Sequence, residues 1–118
     1  MAKKMYHLAH CTTCQGIIKE TGADKAGLEF QNIREEKITK KQLEEMKKLA
    51  GSYEALFSRR ALKYKELGLK DKQLTEEDYK NYILEEDTFL KRPVTIVNEQ
   101  IFIGNDKKTV EALKKALQ

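Results

Sequence analysis

The chain has 118 residues, 40% of them apolar, and its 23 basic and 19 acidic side chains give a net charge of +4. This length and composition predict a single compact domain, residues 1–118, with a core of its own. No apolar run is long enough to span a membrane and no apolar leader precedes the first strand, so we expect a cytoplasmic protein. Lysines interleave with glutamates in stretches such as Lys40–Lys48, a pattern typical of a solvated helix face. We therefore expect no direct binding to nucleic acid or membrane.

The first part of the chain predicts a strand, a helix and a second strand. Met5–Ala9 is a short apolar run, and Thr13–Thr21 has a helical pattern that stops at Gly22, a residue type favoured just past a helix end. Leu28–Gln31 alternates apolar and polar side chains, as a half-buried strand does, and we expect the strand to continue to Ile33. Strand, helix and strand in this order favour a parallel crossover.

Residues 39–86 predict helices and no strand. Thr39 and Gln42 form a capping box ahead of a helix that ends at Gly51. Leu62–Leu67 is a further short helix, and Thr75 opens another. Aromatic side chains recur at helical spacing through this stretch and predict a packing face formed by Tyr53, Phe57, Tyr64, Tyr79 and Tyr82.

The last part of the chain returns to β structure. Val94–Val97 and Ile101–Ile103 are β-branched runs joined by Asn98–Gln100, which predicts an antiparallel hairpin. Asn105 is expected to cap a final helix. The whole order predicts an α/β, thioredoxin-like β-α-β…β-β-α domain, with a core of residues 1–38 and 87–118 and an all-helical insertion at residues 39–86.

The only two cysteines of the chain form a C-x-x-C at the first predicted strand-to-helix junction. Such a pair is typical of a redox dithiol. The helix begins at or just after Cys11, so backbone N–H groups of its first turn, chiefly those of Thr13 and Cys14, point at the Cys11 sulfur and favour its thiolate. Cys14 shares a helix face with Ile17 and is expected to be covered. We therefore expect Cys11 to be the nucleophile and Cys14 the resolving thiol.

Three other interpretations of the pair stay open. Zinc needs four ligands, and only His7 and His10 remain nearby, so we expect no metal site. A structural disulfide is disfavoured because so short a loop constrains little chain. Two buried, inert thiols are the main structural alternative, since free cysteine is often simply part of a core.

Pro93 is the only proline, and it stands immediately before the third strand with Arg92 in front of it. Proline is tolerated at the first residue of a strand, in a trans or a cis bond. In thioredoxin-like folds a cis proline at this place lies against the dithiol and presents backbone to an incoming sulfur substrate. Arg92 is therefore expected beside the dithiol.

Four segments together resemble the ArsC/Spx family, which comprises glutaredoxin-coupled arsenate reductases, the Spx regulators and relatives of the YffB type. They are Cys11–Cys14 after the first strand, Leu56–Arg60, Tyr64–Leu69, and Leu90–Val94 followed by Ile101–Gly104. The resemblance covers essentially the whole chain and implies a thioredoxin-like fold with a helical insertion.

The resemblance also implies roles for single residues. Cys11 matches the family nucleophile, Arg92 matches the arginine before the proline, and Arg60 falls in register with an arginine of Spx-like members. Two further arginines of the reductases would fall on Ser58 and Gly104, so an arsenate pocket here is expected to be under-charged. We expect the anion or substrate to be bound by Thr13, Arg60, Arg92 and Pro93.

Two histidines and an arginine pair have competing interpretations. His7 matches a histidine of the reductases and His10 adjoins Cys11, and a protonated imidazole at either place would lower the Cys11 pKa. His7 lies on a strand, however, and its side chain could point away, so we favour a structural role for it. Arg59 and Arg60 in a polar connection are equally well explained as surface charges.

The resemblance is compatible with three functions. The favoured one is a thiol-disulfide oxidoreductase in which Cys11 attacks and Cys14 or glutathione resolves, with glutathione, glutaredoxin or thioredoxin as electron donor and no bound cofactor. The alternative is an Spx-like redox-sensing regulator that binds RNA polymerase. The third is a fold relative that keeps its cysteines for packing. Cys14 argues against the one-cysteine arsenate mechanism, and we expect a monomer.

Overall fold

A computed structural model gives the structure of the protein and describes residues 3–118. This part of the chain forms β1 (Lys3–His7), α1 (Thr12–Thr21), β2 (Glu29–Asn32), α2 (Lys40–Ala50), α3 (Leu62–Glu66), α4 (Glu76–Glu85), β3 (Val94–Val97), β4 (Gln100–Ile103) and α5 (Lys107–Ala116). Short 3-10 turns lie at Ala23–Lys25, Glu54–Leu56, Leu69–Asp71 and Asp87–Phe89. The chain divides into two compact units, one built from the residues up to 37 together with 92–118, the other from 38–91.

The four strands form one sheet in the order β2-β1-β3-β4. β1 runs parallel to β2, with Met5 opposite Phe30, and antiparallel to β3, with Met5 opposite Thr95. β3 and β4 are antiparallel. The predicted parallel crossover and antiparallel hairpin are therefore confirmed. Because β1 and β2 are parallel, their carboxyl ends meet at the same edge of the sheet.

The first unit has its core between the sheet and the helices α1 and α5. Met5 at the centre of β1 is fully buried, and Val97 of β3 joins it. The apolar faces of the two helices complete this core with Ile17, Val110 and Leu113. Burial of these helix faces holds α1, and with it the C-x-x-C, against the sheet.

The end of β1 and the start of β4 differ from the prediction, and β2 is shorter by one residue at each end. β1 ends at His7 rather than Ala9, because the chain turns at once and the Cys11 N–H donates to the Leu8 carbonyl at 3.0 Å. Gln100 pairs with Val97 within the hairpin, so the connection is Asn98 and Glu99 alone. Asn98 adopts φ 60°, a left-handed conformation that asparagine tolerates, and the turn can therefore be this tight.

The cap of α5 is Asp106, and the prediction of Asn105 is wrong. One carboxylate oxygen of Asp106 accepts the Thr109 N–H at 3.3 Å, and the other accepts the Thr109 hydroxyl at 2.6 Å. The backbone of Asp106 is extended, as a cap residue requires. Aspartate and asparagine are almost equally good caps, so the sequence alone did not separate these neighbours.

The second unit is helical and packs around Phe57. The rings of Tyr64, Tyr79, Tyr82 and Phe89 lie 4.9–6.5 Å from that of Phe57 between centroids. The predicted aromatic packing face is confirmed for these tyrosines. Tyr53 instead lies beneath two ammonium groups, those of Lys47 and Lys80. The capping box of α2 is confirmed, since Thr39 and Gln42 each accept the other's N–H, and Gly51 ends the helix with φ 97°.

Candidate active site

Cys11 lies at the carboxyl-end edge of the sheet, where it is the cap residue of α1. The loop that leads to it from β1 is held from two sides. The side-chain oxygen of Asn32, the last residue of β2, accepts the Ala9 N–H at 3.3 Å, and the Gln15 amide of α1 donates to the Ala9 carbonyl at 2.6 Å. These contacts fix the position of the Cys11 sulfur relative to both strands.

The environment of the Cys11 sulfur favours the thiolate. Its partial burial acts to raise the pKa of Cys11, but four groups act the other way. The Cys14 N–H donates to the sulfur at 3.4 Å and the Cys14 thiol donates as well, while the Arg92 charge and the Thr13 N–H add to the effect. The net result is a lowered pKa for Cys11.

Cys14 has the opposite environment. Its side chain is 0% exposed, and burial is the largest cause that raises the pKa of Cys14 to about 11. The hydrogen bond that its thiol donates to Cys11, and the charge of that sulfur, raise the pKa further. The Leu8 N–H and the Arg92 charge oppose these effects without overcoming them. At neutral pH, Cys14 is therefore a shielded, protonated thiol beside a sulfur whose pKa is lowered.

Arg92 and Pro93 immediately precede β3, and Arg92 lines the same depression as Cys11. The Arg92–Pro93 peptide bond is cis, and Pro93 is buried immediately before β3. The Gly104 N–H donates to the Pro93 carbonyl at 3.0 Å, which ties the start of β3 to the end of β4. Arg92 is half-buried, and its charge acts on both sulfurs.

An open depression of about 330 Å³ surrounds the Cys11 sulfur. Its lining residues are Leu8, His10, Cys11, Thr12, Arg34 and Arg92. Within the described chain this lining therefore contains two guanidinium groups and no acidic side chain. Arg34 was not predicted from the sequence. Its position just after β2 could have indicated it. Because β1 and β2 are parallel, the residues that follow the two strands lie at the same edge of the sheet.

The family model of the ArsC family matches residues 6–113. The chain belongs to the ArsC family. Among curated proteins no relative is found. Solved structures similar to this chain include an arsenate reductase from Vibrio cholerae, with 19% identity, 98% coverage of each chain and a TM-score of 0.78.

Two further solved structures are similar to this chain over most of its length. An arsenate reductase (ArsC) related protein from Brucella melitensis is 18% identical, with 95% of this chain and 93% of that one covered and a TM-score of 0.72. A protein named YFFB is 17% identical, with 99% and 100% covered and a TM-score of 0.78. These likenesses confirm the thioredoxin-like α/β fold. The ArsC family is a thiol oxidoreductase-like family, whose reductases draw electrons from glutathione or thioredoxin and need no prosthetic cofactor.

The backbone at Gly104 bears on the expected lack of an arginine at this position. The residue has φ 88°, a left-handed conformation that favours glycine over any residue with a side chain. An added Cβ would meet no atom within 4 Å, so the backbone conformation, and not a lack of space, disfavours arginine at this position.

The two histidines occupy different environments. The His7 ring packs edge-on against Phe30, with centroids 5.5 Å apart, and burial lowers its pKa although a hydrogen bond with the Leu8 backbone opposes this. The neutral ring therefore serves packing on β1 and β2, in keeping with the favoured structural role. His10 is exposed and lines the depression beside Cys11.

The arginine pair of the second unit has separate roles. Arg59 donates to the Glu54 carboxylate at 2.8 Å and to the Tyr79 hydroxyl at 3.2 Å, and the first of these bonds is the main reason for the raised pKa of its guanidinium. Arg59 therefore holds its own unit together. Arg60 is exposed just ahead of α3, and its part in anion binding stays a prediction.

Among residues 3–118, no three side chains of histidine, cysteine, aspartate or glutamate stand together as metal ligands would. In the same residues no helix has the length and apolar character needed to cross a bilayer.

Proposed function

We propose that the protein is a thiol-disulfide oxidoreductase in which Cys11 attacks an oxidised substrate and Cys14 resolves the product. One observation carries this proposal: Cys11 is partly exposed and accepts the Cys14 N–H at 3.4 Å, whereas Cys14, three positions on, is fully buried. In keeping with this, the pKa of Cys11 is lowered and that of Cys14 is raised to about 11. A pair of inert core thiols would both be desolvated and both be raised. The contrast between an accessible thiolate and a covered thiol is what a nucleophile and a resolving group need.

The first step is an exchange at sulfur. The Cys11 thiolate attacks one sulfur of a disulfide R–S–S–R, a bond forms between Cys11 and that sulfur, and the other half leaves as a thiolate that takes up a proton from solvent. In the second step the Cys14 sulfur attacks Cys11, loses its proton, and expels the second R–S⁻. Two electrons have then passed from the cysteine pair to the substrate, and Cys11 and Cys14 are joined by a disulfide.

The order of the two steps follows from the coupling of the two thiols. While Cys11 is a thiolate, its charge and the hydrogen bond it accepts keep the proton on Cys14. Once Cys11 is part of a mixed disulfide, both of these effects are gone, so Cys14 ionises more easily. Cys14 therefore stays protonated and unreactive until Cys11 has formed the mixed disulfide.

The cycle closes when a reductant opens the Cys11–Cys14 disulfide. Glutathione, glutaredoxin or thioredoxin supplies the two electrons in this proposal, and the pool of such reductants in cytoplasm suits the protein to that compartment. In a second route, glutathione attacks the mixed disulfide directly and Cys14 is bypassed.

Arsenate is a weaker candidate substrate than a disulfide. A multiply charged oxyanion approaching a thiolate needs several guanidinium groups. Of the positions that carry arginine in the arsenate reductases, Ser58 and Gly104 provide no charge here. Turnover of arsenate with glutathione and glutaredoxin measures this directly, and activity at the level of a disulfide substrate would contradict our preference.

Substitution of each cysteine by serine tests the proposal. With glutathione disulfide as substrate, Cys11→Ser abolishes exchange, because the attacking thiolate is removed. Cys14→Ser accumulates one glutathione per protein on Cys11, visible as a mass increase, because the intramolecular resolving step is lost. Equal residual activity in both variants, or glutathione attached to Cys14 in Cys11→Ser at the wild-type rate, would contradict the assigned roles.

A redox-sensing regulator that binds RNA polymerase is the second candidate, favoured by the exposure of Arg60 and by the presence of both cysteines. In this function the Cys11–Cys14 disulfide is the signal and not an intermediate. Pull-down of RNA polymerase with the oxidised and the reduced protein, and with Arg60→Glu, separates the two functions. Capture that depends on Arg60 and on oxidation state favours the regulator, and no capture favours the enzyme.

A further inference from the structure

We propose that the groove between α1 and α5 is a docking surface for the extended polypeptide that flanks the half-cystine of a protein disulfide, and that it favours a segment with a basic side chain. The inference rests on the proposed disulfide exchange at Cys11. It names the class of substrate, disulfides carried by a polypeptide chain, and assigns the groove no part in the exchange itself.

The α1–α5 groove begins beside the cysteine pair. It is an open groove of about 490 Å³, and on α1 its lining starts at Thr13, inside the C-x-x-C. The Thr13 N–H acts on the Cys11 sulfur. From Thr13 the lining continues along the same helix face to Glu20. A polypeptide joined to Cys11 by a disulfide therefore has its flanking residues within reach of the groove.

The buried part of the groove lining is apolar. Ile17 of α1 and Val110 of α5 belong to the lining, and they are only 6% and 7% exposed. Both also belong to the core of the first unit, so the helices that form the two walls are packed together. The groove is therefore part of one rigid unit and does not depend on the helical unit of residues 38–91.

Gly16 leaves the groove open where it passes along α1. It lies in the interior of a regular helix, where glycine is less favourable than alanine. A Cβ added at Gly16 would meet no atom within 4 Å, so no neighbour in the described chain requires a glycine there. The missing side chain instead leaves room for the backbone of another chain to approach α1 closely. This is the contact that an extended polypeptide in the groove needs.

The charges of the groove lining favour a basic partner. Glu20 and Glu111 are exposed carboxylates of the lining, against one ammonium group, that of Lys107. Among residues 3–118 none of these three side chains takes part in an ion pair. Glu20 lies seven positions beyond Thr13, which is about 10 Å along a helix. An extended chain covers that distance in about three residues, so we expect the basic side chain there, counted from the half-cystine.

The test measures second-order rate constants of exchange in the Cys14→Ser background, where the reaction stops at the mixed disulfide and is followed by mass spectrometry. One probe is the symmetrical disulfide of a short peptide that has cysteine at its centre and lysine about three positions away on each side. A second peptide has glutamine in place of lysine. Bis(2-hydroxyethyl) disulfide is the probe without a polypeptide.

Gly16→Leu lowers the ratio of the rate constants for the lysine peptide and for hydroxyethyl disulfide about tenfold, because the new side chain fills the groove. Ala112→Leu is the matched control, since it adds bulk at an exposed position of α5 that does not line the groove, and it leaves the ratio unchanged. Gly16→Ala raises the melting temperature by about 2–6 °C, because alanine is the better helix former. A lower melting temperature would show that the fold itself requires the glycine and would overturn the proposal.

Glu20→Gln lowers the ratio of the lysine peptide to the glutamine peptide roughly two- to fivefold, the size of an exposed ion pair. Glu99→Gln removes an exposed carboxylate of the β3–β4 turn, outside the groove, and does not change this ratio. An unchanged ratio in Glu20→Gln would overturn the preference for a basic segment.

The outcomes separate this inference from the proposed function. If Gly16→Leu slows the lysine peptide and hydroxyethyl disulfide by the same factor, or slows neither, the docking surface is overturned while the exchange chemistry stands. If the Cys14→Ser parent reacts with none of the three disulfides, the proposed function and this inference are overturned together.

Discussion

The balance of effects on the Cys11 sulfur decides the chemistry of the site. Burial alone would raise the pKa of Cys11 and disfavour its thiolate, as it does for Cys14. Cys11 is only partly buried, so its desolvation cost is limited, and it faces donors and a cation. Together the two donors from Cys14, the Arg92 charge and the Thr13 N–H outweigh this partial desolvation, so the pKa of Cys11 is lowered.

At the residue scale, we predict that Arg92→Gln raises the Cys11 pKa. The guanidinium favours the thiolate by its charge, and glutamine has none. The rate of carboxamidomethylation at neutral pH therefore falls roughly three- to tenfold, while the rate at high pH, where all Cys11 is ionised, is nearly unchanged.

The control for this prediction is Lys91→Gln, which removes the neighbouring exposed charge and leaves the pH profile in place. Arg92→Lys stays close to the wild type in the same assay. If the pH profile of carboxamidomethylation for Arg92→Gln superimposes on that of the wild type, the arginine charge does not affect the pKa of Cys11.

At the element scale, the position of helix α1 sets the environments of both cysteines. Its first turn directs N–H groups at Cys11, and its buried face carries Cys14 into the core one turn later. Gly22, at φ 73°, ends the helix and its N–H donates to the Ile18 carbonyl. The difference between the two thiols thus follows from where the helix begins and which face it buries.

The cap of α5 gives a prediction with a definite dependence on pH. The bond from the Thr109 hydroxyl is the main cause that lowers the pKa of Asp106 in the folded protein. A carboxylate with a lowered folded-state pKa stabilises the folded state above its unfolded-state pKa, and this stabilisation is lost as pH falls through the folded-state value. Asp106→Asn is therefore less stable than wild type at neutral pH, and the difference vanishes in acid.

Urea denaturation midpoints at neutral and acidic pH measure this difference. Asn105→Ala, at the exposed position first expected to be the cap, leaves the midpoint unchanged at both values of pH. A larger loss of stability for Asn105→Ala than for Asp106→Asn would contradict the observed cap.

At the scale of the whole molecule, the sequence was sufficient for the order of elements and for the expectation that Arg92 lies beside the C-x-x-C. Buried strands, capping residues and glycine helix ends can each be recognised from a few neighbouring residues. The same is true of the C-x-x-C and of Pro93. Arg34 could not be found in this way, because its place in the lining of the depression depends on the pairing of β1 with β2, a contact between residues distant in sequence. Asn98 and Gln100 show the same limit at the hairpin, where cross-strand pairing decides the length of the turn.

The predicted division into a thioredoxin-like core of residues 1–38 and 87–118 with an insertion at residues 39–86, all within one domain, stays a prediction. We propose that the chain unfolds as that one domain. A single transition, seen alike by circular dichroism and by exposure of the buried Cys14, would support it. Two separate transitions would contradict it.

The most direct test of the central claim is alkylation of both cysteines by iodoacetamide across a range of pH, with each site followed by peptide mass spectrometry. The account predicts that Cys11 reacts first, with a midpoint below that of an ordinary cysteine, and that Cys14 stays unmodified through neutral pH because its pKa is raised to about 11 and its side chain is covered. Slow labelling of both sites at equal rates would contradict the account and identify the pair as inert thiols of the core.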